Sequence, residues 1–118
     1  MGITVQELRA KLAQRQEAAA ELQALFESLF PLPFSPEYRQ YYVWLDMYSV
    51  EVVVAGLQAC GKWYNQHVQD QEEAEGQAEA NGEQYTPDVK SKIDIMKYAS
   101  ACMRTIKAEL DKKHVSRN

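Results

Sequence analysis

The sequence has few of the residues that build disulfide scaffolds or membrane spans. Its 118 residues include only two cysteines, Cys60 and Cys102, which lie far apart on apolar helix faces. We expect two buried free thiols in a reducing cytosol, with a disulfide between them as the alternative. No run approaches the roughly 18 apolar residues of a membrane span, and the N-terminus turns polar and charged at once, unlike a signal peptide. We therefore expect a cytoplasmic chain without a membrane partner.

Signatures of catalysis and of metal binding are also sparse. His67, Asp70 and Glu73 follow one another at i, i+3 and i+6, but one imidazole with two carboxylates is a weak metal pattern. No Ser/His/Asp or Cys/His arrangement has a recognisable local signature. The sequence therefore predicts no enzyme, no cofactor and no metal site.

The densest apolar run is Ser49 to Val68, and it fits two structures. As a strand followed by Gly56-x4-Gly61-Lys62, it resembles the start of a phosphate loop, but Trp63 stands where a hydroxyl must bind Mg²⁺. As a helix, it places one apolar face at the centre of an all-α core. That face comprises Val53, Leu57, Cys60, Tyr64 and Val68. We favour the helix, with both glycines as close-packing points between helices.

Residues 4–30 are predicted to form one long amphipathic helix. Thr4-x-x-Glu7 is a capping box at its start. A heptad seam follows, with Arg15 in its one polar slot. This seam packs either within its own domain or against a second chain as a homodimer. In the second interpretation the dimerisation residues are Val5, Leu8, Leu12, Leu22, Phe26 and Leu29.

Three further segments follow the first helix. A proline-rich stretch ends it, and Ser35 with Pro36 is predicted to start a second helix whose aromatic stripe is either core or a base-stacking platform. The acidic segment within residues 69–86 has no large apolar side chain before Tyr85, which predicts a mobile loop after a short extension of the central helix before Gly76. Thr86-Pro87 is then predicted to start the last helix.

The last helix carries most of the positive charge. Residues 86–118 hold eight Lys/Arg against four acids, whereas residues 1–85 hold five against thirteen. This asymmetry points to different partners at the two ends. The basic side chains either follow a phosphate backbone, with Tyr98 stacking on a base, or form a solvated face with pairs such as Asp94 and Lys97. The candidate nucleic-acid-binding residues are Lys90, Lys97, Tyr98, Arg104, Lys107, Lys112 and Lys113.

The fold predicted from these elements is a single all-α domain over residues 1–118. A long N-terminal helix, 4–30, precedes a compact three-helix core over 31–112 that contains the mobile acidic loop. Residues 113–118 form a basic tail.

The order of motifs resembles that of a known family. Leu32-Pro-Phe-Ser-Pro-Glu-Tyr leads into a helix holding Trp44-Leu-Asp-Met-Tyr-Ser, and Ile95-Met-Lys-Tyr-Ala-Ser follows after an insertion. Over residues 31–108 this resembles the C-terminal domain of the DnaD/DnaB-type primosomal proteins and their phage relatives. The family's terminal motif falls on Tyr98, Cys102 and Ile106, where Ile106 replaces a tryptophan.

The resemblance implies a helical module that binds DNA, especially single strands, and helps to load the replicative helicase. We therefore expect a non-enzymatic replication accessory protein, encoded by a phage or mobile element, with single-stranded DNA or a replication protein as partner. The alternative is a helical protein-interaction module, such as a homodimeric adaptor or a phage-encoded inhibitor, with no DNA contact.

Overall fold

The computed structural model describes residues 4–116, with side chains as far as Lys113. Within this range the chain forms four α-helices and no β-strand: α1 Val5–Leu29, α2 Tyr38–Met47, α3 Val50–Ala80 and α4 Lys92–Ser116. The predicted all-α, four-helix fold is confirmed. The central apolar run is helical throughout, so the pattern Gly56-x4-Gly61-Lys62 lies inside α3 and forms no phosphate loop.

Two of the predicted helix starts are confirmed by their caps. The Thr4 hydroxyl accepts a hydrogen bond from the Glu7 amide at 3.1 Å and begins α1. The Ser49 hydroxyl accepts from the Val52 amide at 3.3 Å and begins α3. Each cap satisfies an amide that has no partner within its own helix.

The predicted start of α2 is wrong by two residues. The helix begins at Tyr38, and Glu37 occupies the N-cap position without a side-chain bond. The Ser35 hydroxyl instead donates to the Glu27 carboxylate at 3.0 Å, which ties the proline-rich segment back to α1. A tertiary partner therefore displaces the local capping role.

The predicted start of α4 is also wrong. The helix begins at Lys92, where Ser91 and Asp94 cap each other: the Asp94 amide donates to Ser91 Oγ at 3.1 Å and the Ser91 amide donates to Asp94 Oδ2 at 3.2 Å. This is a reciprocal capping arrangement. Val89 lies before the helix and is exposed.

The acidic segment is mostly helix: the extension of the central helix before Gly76 is as predicted, but the predicted loop is wrong for residues 76–80. Ala, Glu and Gln are good helix formers, and extending an existing helix adds one hydrogen bond per residue fixed. The helix therefore passes through Gly76 and ends at Ala80. Gly82, at φ +69°, then turns the chain, and the Glu83 amide donates to the Ala78 carbonyl at 2.8 Å. Residues 81–91 form the connector to α4.

The core draws side chains from all four helices and from the segment after α1. Its fully or nearly fully buried members are Ala19, Leu22, Phe26, Phe30, Tyr41, Trp44, Val52, Val53, Leu57, Cys60, Ile95, Ala99 and Met103. Gly56 and Gly61 are close-packing points, as predicted. A Cβ at Gly56 would collide with the Met103 side chain and lie 3.2 Å from the Met103 amide nitrogen, and one at Gly61 would lie 3.2 Å from Leu29 Cβ.

The heptad seam of α1 divides into two halves. In the C-terminal half, Leu22 and Phe26 are buried inside the chain's own core and Leu29 packs on it. These three predicted dimerisation residues therefore make intrachain contacts. In the N-terminal half the seam is uncovered: Val5, Leu8 and Leu12 are 66%, 47% and 48% exposed.

Arg15 separates the two halves and accounts for the polar slot in the seam. Its guanidinium donates to Asp46 Oδ1 at 2.7 Å and to the Tyr42 carbonyl at 3.2 Å. The same group lies 5.1 Å from the centroid of the Tyr42 ring. Arg15 therefore joins α1 to the C-terminal end of α2.

Across residues 4–116, no helix taken singly has the length and hydropathy to cross a membrane. The pair α2 and α3 meets that criterion only when taken together, and the two helices are bent by 120° at the break.

Candidate nucleic-acid interface

A stacked aromatic pair joins α3 to α4. The rings of Trp63 and Tyr98 lie parallel, with centroids 4.0 Å apart and 11° between their planes. The close approach of α4 at Gly56 sets the register that places these two residues opposite each other. Tyr98 remains 37% exposed. The sequence analysis selected Tyr98 but not Trp63, which lies off the apolar seam of α3.

The connector folds back onto this pair. His67, one helical turn after Trp63, has its ring nearly parallel to the indole with centroids 6.3 Å apart, and its Nε2 lies 2.8 Å from the Asp88 carbonyl oxygen. Gln71 Oε1 accepts from the Asp88 amide at 2.9 Å and from the Tyr85 hydroxyl. These bonds hold the connector against α3 beside the aromatic rings.

Lys90 is placed at the rim of the pair by the same connector. Its Nζ lies 5.9 Å from the centroid of the Trp63 ring and 3.2 Å from Asp88 Oδ2. An ammonium group at this distance from an indole is within the range of a cation–π interaction. Lys90 is therefore half-buried and fixed by two contacts, unlike a freely solvated lysine.

Two hollows share Tyr98 and Ala101. The basic hollow, of about 370 Å³, is lined by Trp63, Lys90, Asp94, Lys97, Tyr98 and Ala101. The apolar hollow, of about 380 Å³, is lined by Ala59, Tyr98, Ala101, Cys102, Thr105 and Ile106. All of these residues belong to α3, α4 or the connector. Together the hollows form a trough that α1 and α2 do not cover.

Lys97 and Arg104 lie on one ridge of α4. Both line a further hollow of about 540 Å³ on the side facing α2, together with Gln40. Arg104 follows Lys97 by seven positions along α4, which corresponds to a rise of about 10 Å. Lys97 also lines the basic hollow, so it is common to both sides of the ridge.

The remaining predicted cations lie elsewhere. Lys107 Nζ lies 5.9 Å from the centroid of the Tyr48 ring, at the junction of α2 and α3. Lys112 and Lys113 are exposed near the end of α4. Lys112 is about 20 Å along the helix from Tyr98 at 1.5 Å per residue. Of the predicted basic tail 113–118, Arg117 and Asn118 lie outside the described residues.

The charge of the basic hollow is moderated by one carboxylate. Hydrogen bonds from Ser91 lower the pKa of Asp94 below its ordinary value, and the positive charges of Lys90 and Lys97 lower it further. Asp94 is therefore ionised at neutral pH. The Tyr98 hydroxyl is neutral there, because its ordinary pKa of 10.0 is well above neutral pH, and burial, followed by interactions with Cys102 and Cys60, raises that pKa further. The hollow thus carries two cations, one anion and uncharged ring surfaces.

The two thiols are free, as predicted, but only Cys60 is fully buried. Its Sγ donates to the Ile95 carbonyl at 3.6 Å, and burial, with a smaller effect of Cys102, raises its pKa to about 12. Cys102 is half-buried and borders the apolar hollow, and burial raises its pKa as well. Modification of the Cys102 thiol therefore reports on access to the trough.

The weak metal pattern of α3 is engaged in other bonds. His67 contacts the connector, and Asp70 accepts from the Gln66 amide group at 3.0 Å. Among the side chains that the structure describes, no group of three His, Cys, Asp or Glu is arranged to hold a metal ion.

What the trough offers chemically is ring surface for stacking, ammonium groups for anions and a small apolar recess. These are the groups that contact unpaired nucleotides in proteins that bind single strands. Comparison with protein-family models, with curated proteins and with solved structures finds no match for this chain.

Proposed function

We propose that this chain is a non-enzymatic accessory protein of DNA replication that binds single-stranded DNA in the cytoplasm. The observation that carries the proposal is the Trp63–Tyr98 stack, in which Tyr98 is exposed and Trp63 is half-buried, with Lys90 and Lys97 beside it. Aromatic rings next to cations suit single strands, because unpaired bases offer their faces for stacking while phosphates meet the cations. In a duplex those faces are already stacked on one another.

The basic ridge of α4 supports the same proposal. Lys97 and Arg104 are both exposed and lie on one side of the helix, where a phosphate backbone would follow them. The resemblance of residues 31–108 to the primosomal proteins supports the replication context. Lys107, Lys112 and Lys113 contribute to the positive field of α4 at a distance from the trough.

The test is binding of a fluorescently labelled oligothymidine, followed by anisotropy at low and at moderate salt. We expect binding that weakens as salt rises, because phosphate contacts release counterions. The double variant Lys97→Glu/Arg104→Glu should weaken binding by at least ten-fold, at about 1.4 kcal/mol per factor of ten. The matched control Arg9→Glu/Lys11→Glu makes the same charge change on exposed positions of α1.

Absence of binding at both salt concentrations contradicts the proposal. Equal losses in the two double variants would also contradict it, because the effect would then come from net charge and not from the α4 ridge.

A second candidate function is protein interaction through the N-terminal half of α1. The observation that favours it is the uncovered seam of Val5, Leu8 and Leu12, which continues in register the seam that is buried in the C-terminal half. A helix that presents such a stripe buries it against another helix. We propose a second copy of this chain as that partner.

Sedimentation over a range of protein concentrations tests the self-association. A dimer is expected, and Leu8→Glu/Leu12→Glu should convert it to a monomer, whereas Gln14→Glu/Gln16→Glu, at exposed positions of the same helix, should not. A monomer at every concentration of the unmodified chain would contradict this second function without affecting the first.

A further inference from the structure

We propose that the apolar hollow takes one unstacked nucleobase of single-stranded DNA, packed against the ring of Tyr98. The inference rests on the proposed function and deepens it, because it makes binding depend on a base as well as on phosphates. The site is defined by Ala59 on α3 and by Tyr98, Ala101, Cys102, Thr105 and Ile106 on α4.

The shape of the hollow fits a flat ring system. Ala59, Ala101, Cys102 and Thr105 are small, and Tyr98 and Ile106 are the two larger lining residues. A volume of about 380 Å³ holds roughly a dozen water-sized groups at about 30 Å³ each, which is more than the space that one nucleobase needs. A polar edge of the base has a partner as well. The Thr105 hydroxyl donates to the Ala101 carbonyl at 3.0 Å and retains its capacity to accept from an amino group.

The contact with Trp63 orders the Tyr98 side chain beside the apolar hollow. One face of its ring is covered by Trp63, with the centroids 4.0 Å apart, and the same residue borders the apolar hollow. A base in the hollow would therefore contact a ring that is already part of a stack. Because the Trp63 contact already orders the Tyr98 side chain, less rotamer freedom is lost when the base binds.

The charge beside the hollow selects the class of occupant. Lys90 and Lys97 line the basic hollow, which meets the apolar hollow at Tyr98 and Ala101. Lys62 follows Ala59 by three residues and lies on the same side of α3. Lys90 already lies against the Asp88 carboxylate. A base linked to phosphates fills the recess and brings negative charge to Lys62 and Lys97, whereas an apolar protein side chain would fill the recess alone.

The test compares an oligothymidine with an abasic strand of the same length and charge. We expect the abasic strand to retain salt-dependent binding through the cations but to bind about ten-fold more weakly, because the stacking contribution is lost. Equal affinities for the two strands would overturn the nucleobase site and leave the proposed function standing. No binding of either strand would overturn both.

A substitution that fills the apolar hollow tests whether the base binds there. Ala59→Leu should reduce binding of the oligothymidine to the level of the abasic strand and leave abasic binding unchanged. Ala74→Leu, the same change at an exposed position of α3, should alter neither, and circular dichroism checks that both variants fold. Equal losses for both strands in Ala59→Leu would overturn the site.

Alkylation of Cys102 in the unmodified protein gives a readout that needs no variant. Cys102 borders the hollow while Cys60 is buried, so mass spectrometry of the labelled peptides distinguishes them. Saturating oligothymidine should slow the labelling of Cys102 several-fold more than abasic strand at equal occupancy. The same rate with both strands contradicts a base in the hollow.

Discussion

The indole Nε1 of Trp44 donates a hydrogen bond to the Ser100 hydroxyl at 2.9 Å and so joins α2 to α4 inside the molecule. Trp44 is buried, and within the described residues this is the bond that pairs its indole N–H. An unpaired buried donor costs about 1–3 kcal/mol. Ser100→Ala should therefore lower the free energy of unfolding by about that amount, as measured by urea denaturation.

The control for Ser100 is Ser28, whose hydroxyl donates to the Leu25 carbonyl at an exposed position of α1. Ser28→Ala should change the free energy of unfolding by less than about 0.5 kcal/mol, as is usual for surface substitutions. If the two serine variants were equally stable, the bond from Trp44 would contribute nothing to the fold.

Two glycines of α3 should respond oppositely to the same substitution. Gly76→Ala should stabilise the protein by about 0.5–1 kcal/mol, because nothing lies within 4 Å of a Cβ there and alanine is the better helix former. Gly56→Ala should destabilise it by about 1–3 kcal/mol, because the added methyl group collides with Met103 of α4. Thermal unfolding followed by circular dichroism measures both. A stabilised Gly56→Ala would show that α3 and α4 are further apart than the structure places them.

Arg15 should matter more to stability than its partner Asp46. The pair is largely exposed, and exposed ion pairs contribute about 0.2–1 kcal/mol, so Asp46→Ala should cost less than about 1 kcal/mol. Arg15→Ala also loses the bond to the Tyr42 carbonyl and the contact with the Tyr42 ring, and should cost more. Urea denaturation at low and high salt tests this order: the cost of Asp46→Ala should shrink with salt, whereas most of the Arg15→Ala cost should remain.

The buried thiol of Cys60 predicts a loss of stability at alkaline pH. Burial raises its pKa to about 12 in the folded chain, from an ordinary value of 9.0 that applies when the chain is unfolded. Between these two values the native state holds a proton that the unfolded state releases. The contribution of Cys60 to the free energy of unfolding is therefore fully present below pH 9 and declines as the pH rises toward 12. Tyr41, whose pKa is raised mainly by burial, adds to the decline above pH 10.

Cys60→Ala provides the comparison for this pH dependence. It removes the titrating group, so the slope of the unfolding free energy between pH 9 and pH 10 should become flatter, whatever the cost of the small cavity at neutral pH. An unchanged slope would assign the alkaline loss to other groups.

Much of the fold was predictable because local signals and tertiary contacts agree. The caps at Thr4 and Ser49 are local, and no other element competes for those hydroxyls. The start of α4 shows the opposite case. Thr86-Pro87 is a good local start, but Gln71 and His67 bind the backbone of Asp88 and hold it outside a helix, so the second signal, at Ser91 and Asp94, is used.

The candidate site was only partly predictable for a related reason. Hydrophobic periodicity finds the buried face of a helix, and Tyr98 was selected because lysines surround it in sequence. Trp63 lies beside the buried face of α3, and its pairing with Tyr98 depends on the register between α3 and α4. That register is set by the contact of Gly56 with Met103, and a single sequence carries no direct signal of it.

The hydrogen bonds of Gln71 have one more consequence, which concerns chain length. Because Gln71 binds both Tyr85 and the Asp88 amide, the chain runs on to the end of α3 at Ala80, turns at Gly82 and returns to nearly the same point. Between Gln71 and Tyr85 only the turn over residues 81–84 is non-helical, and doubling the length of a loop costs about 0.6 kcal/mol of closure entropy. The turn after Ala80 is therefore the place where residues can be inserted while the four-helix body and the trough keep their geometry.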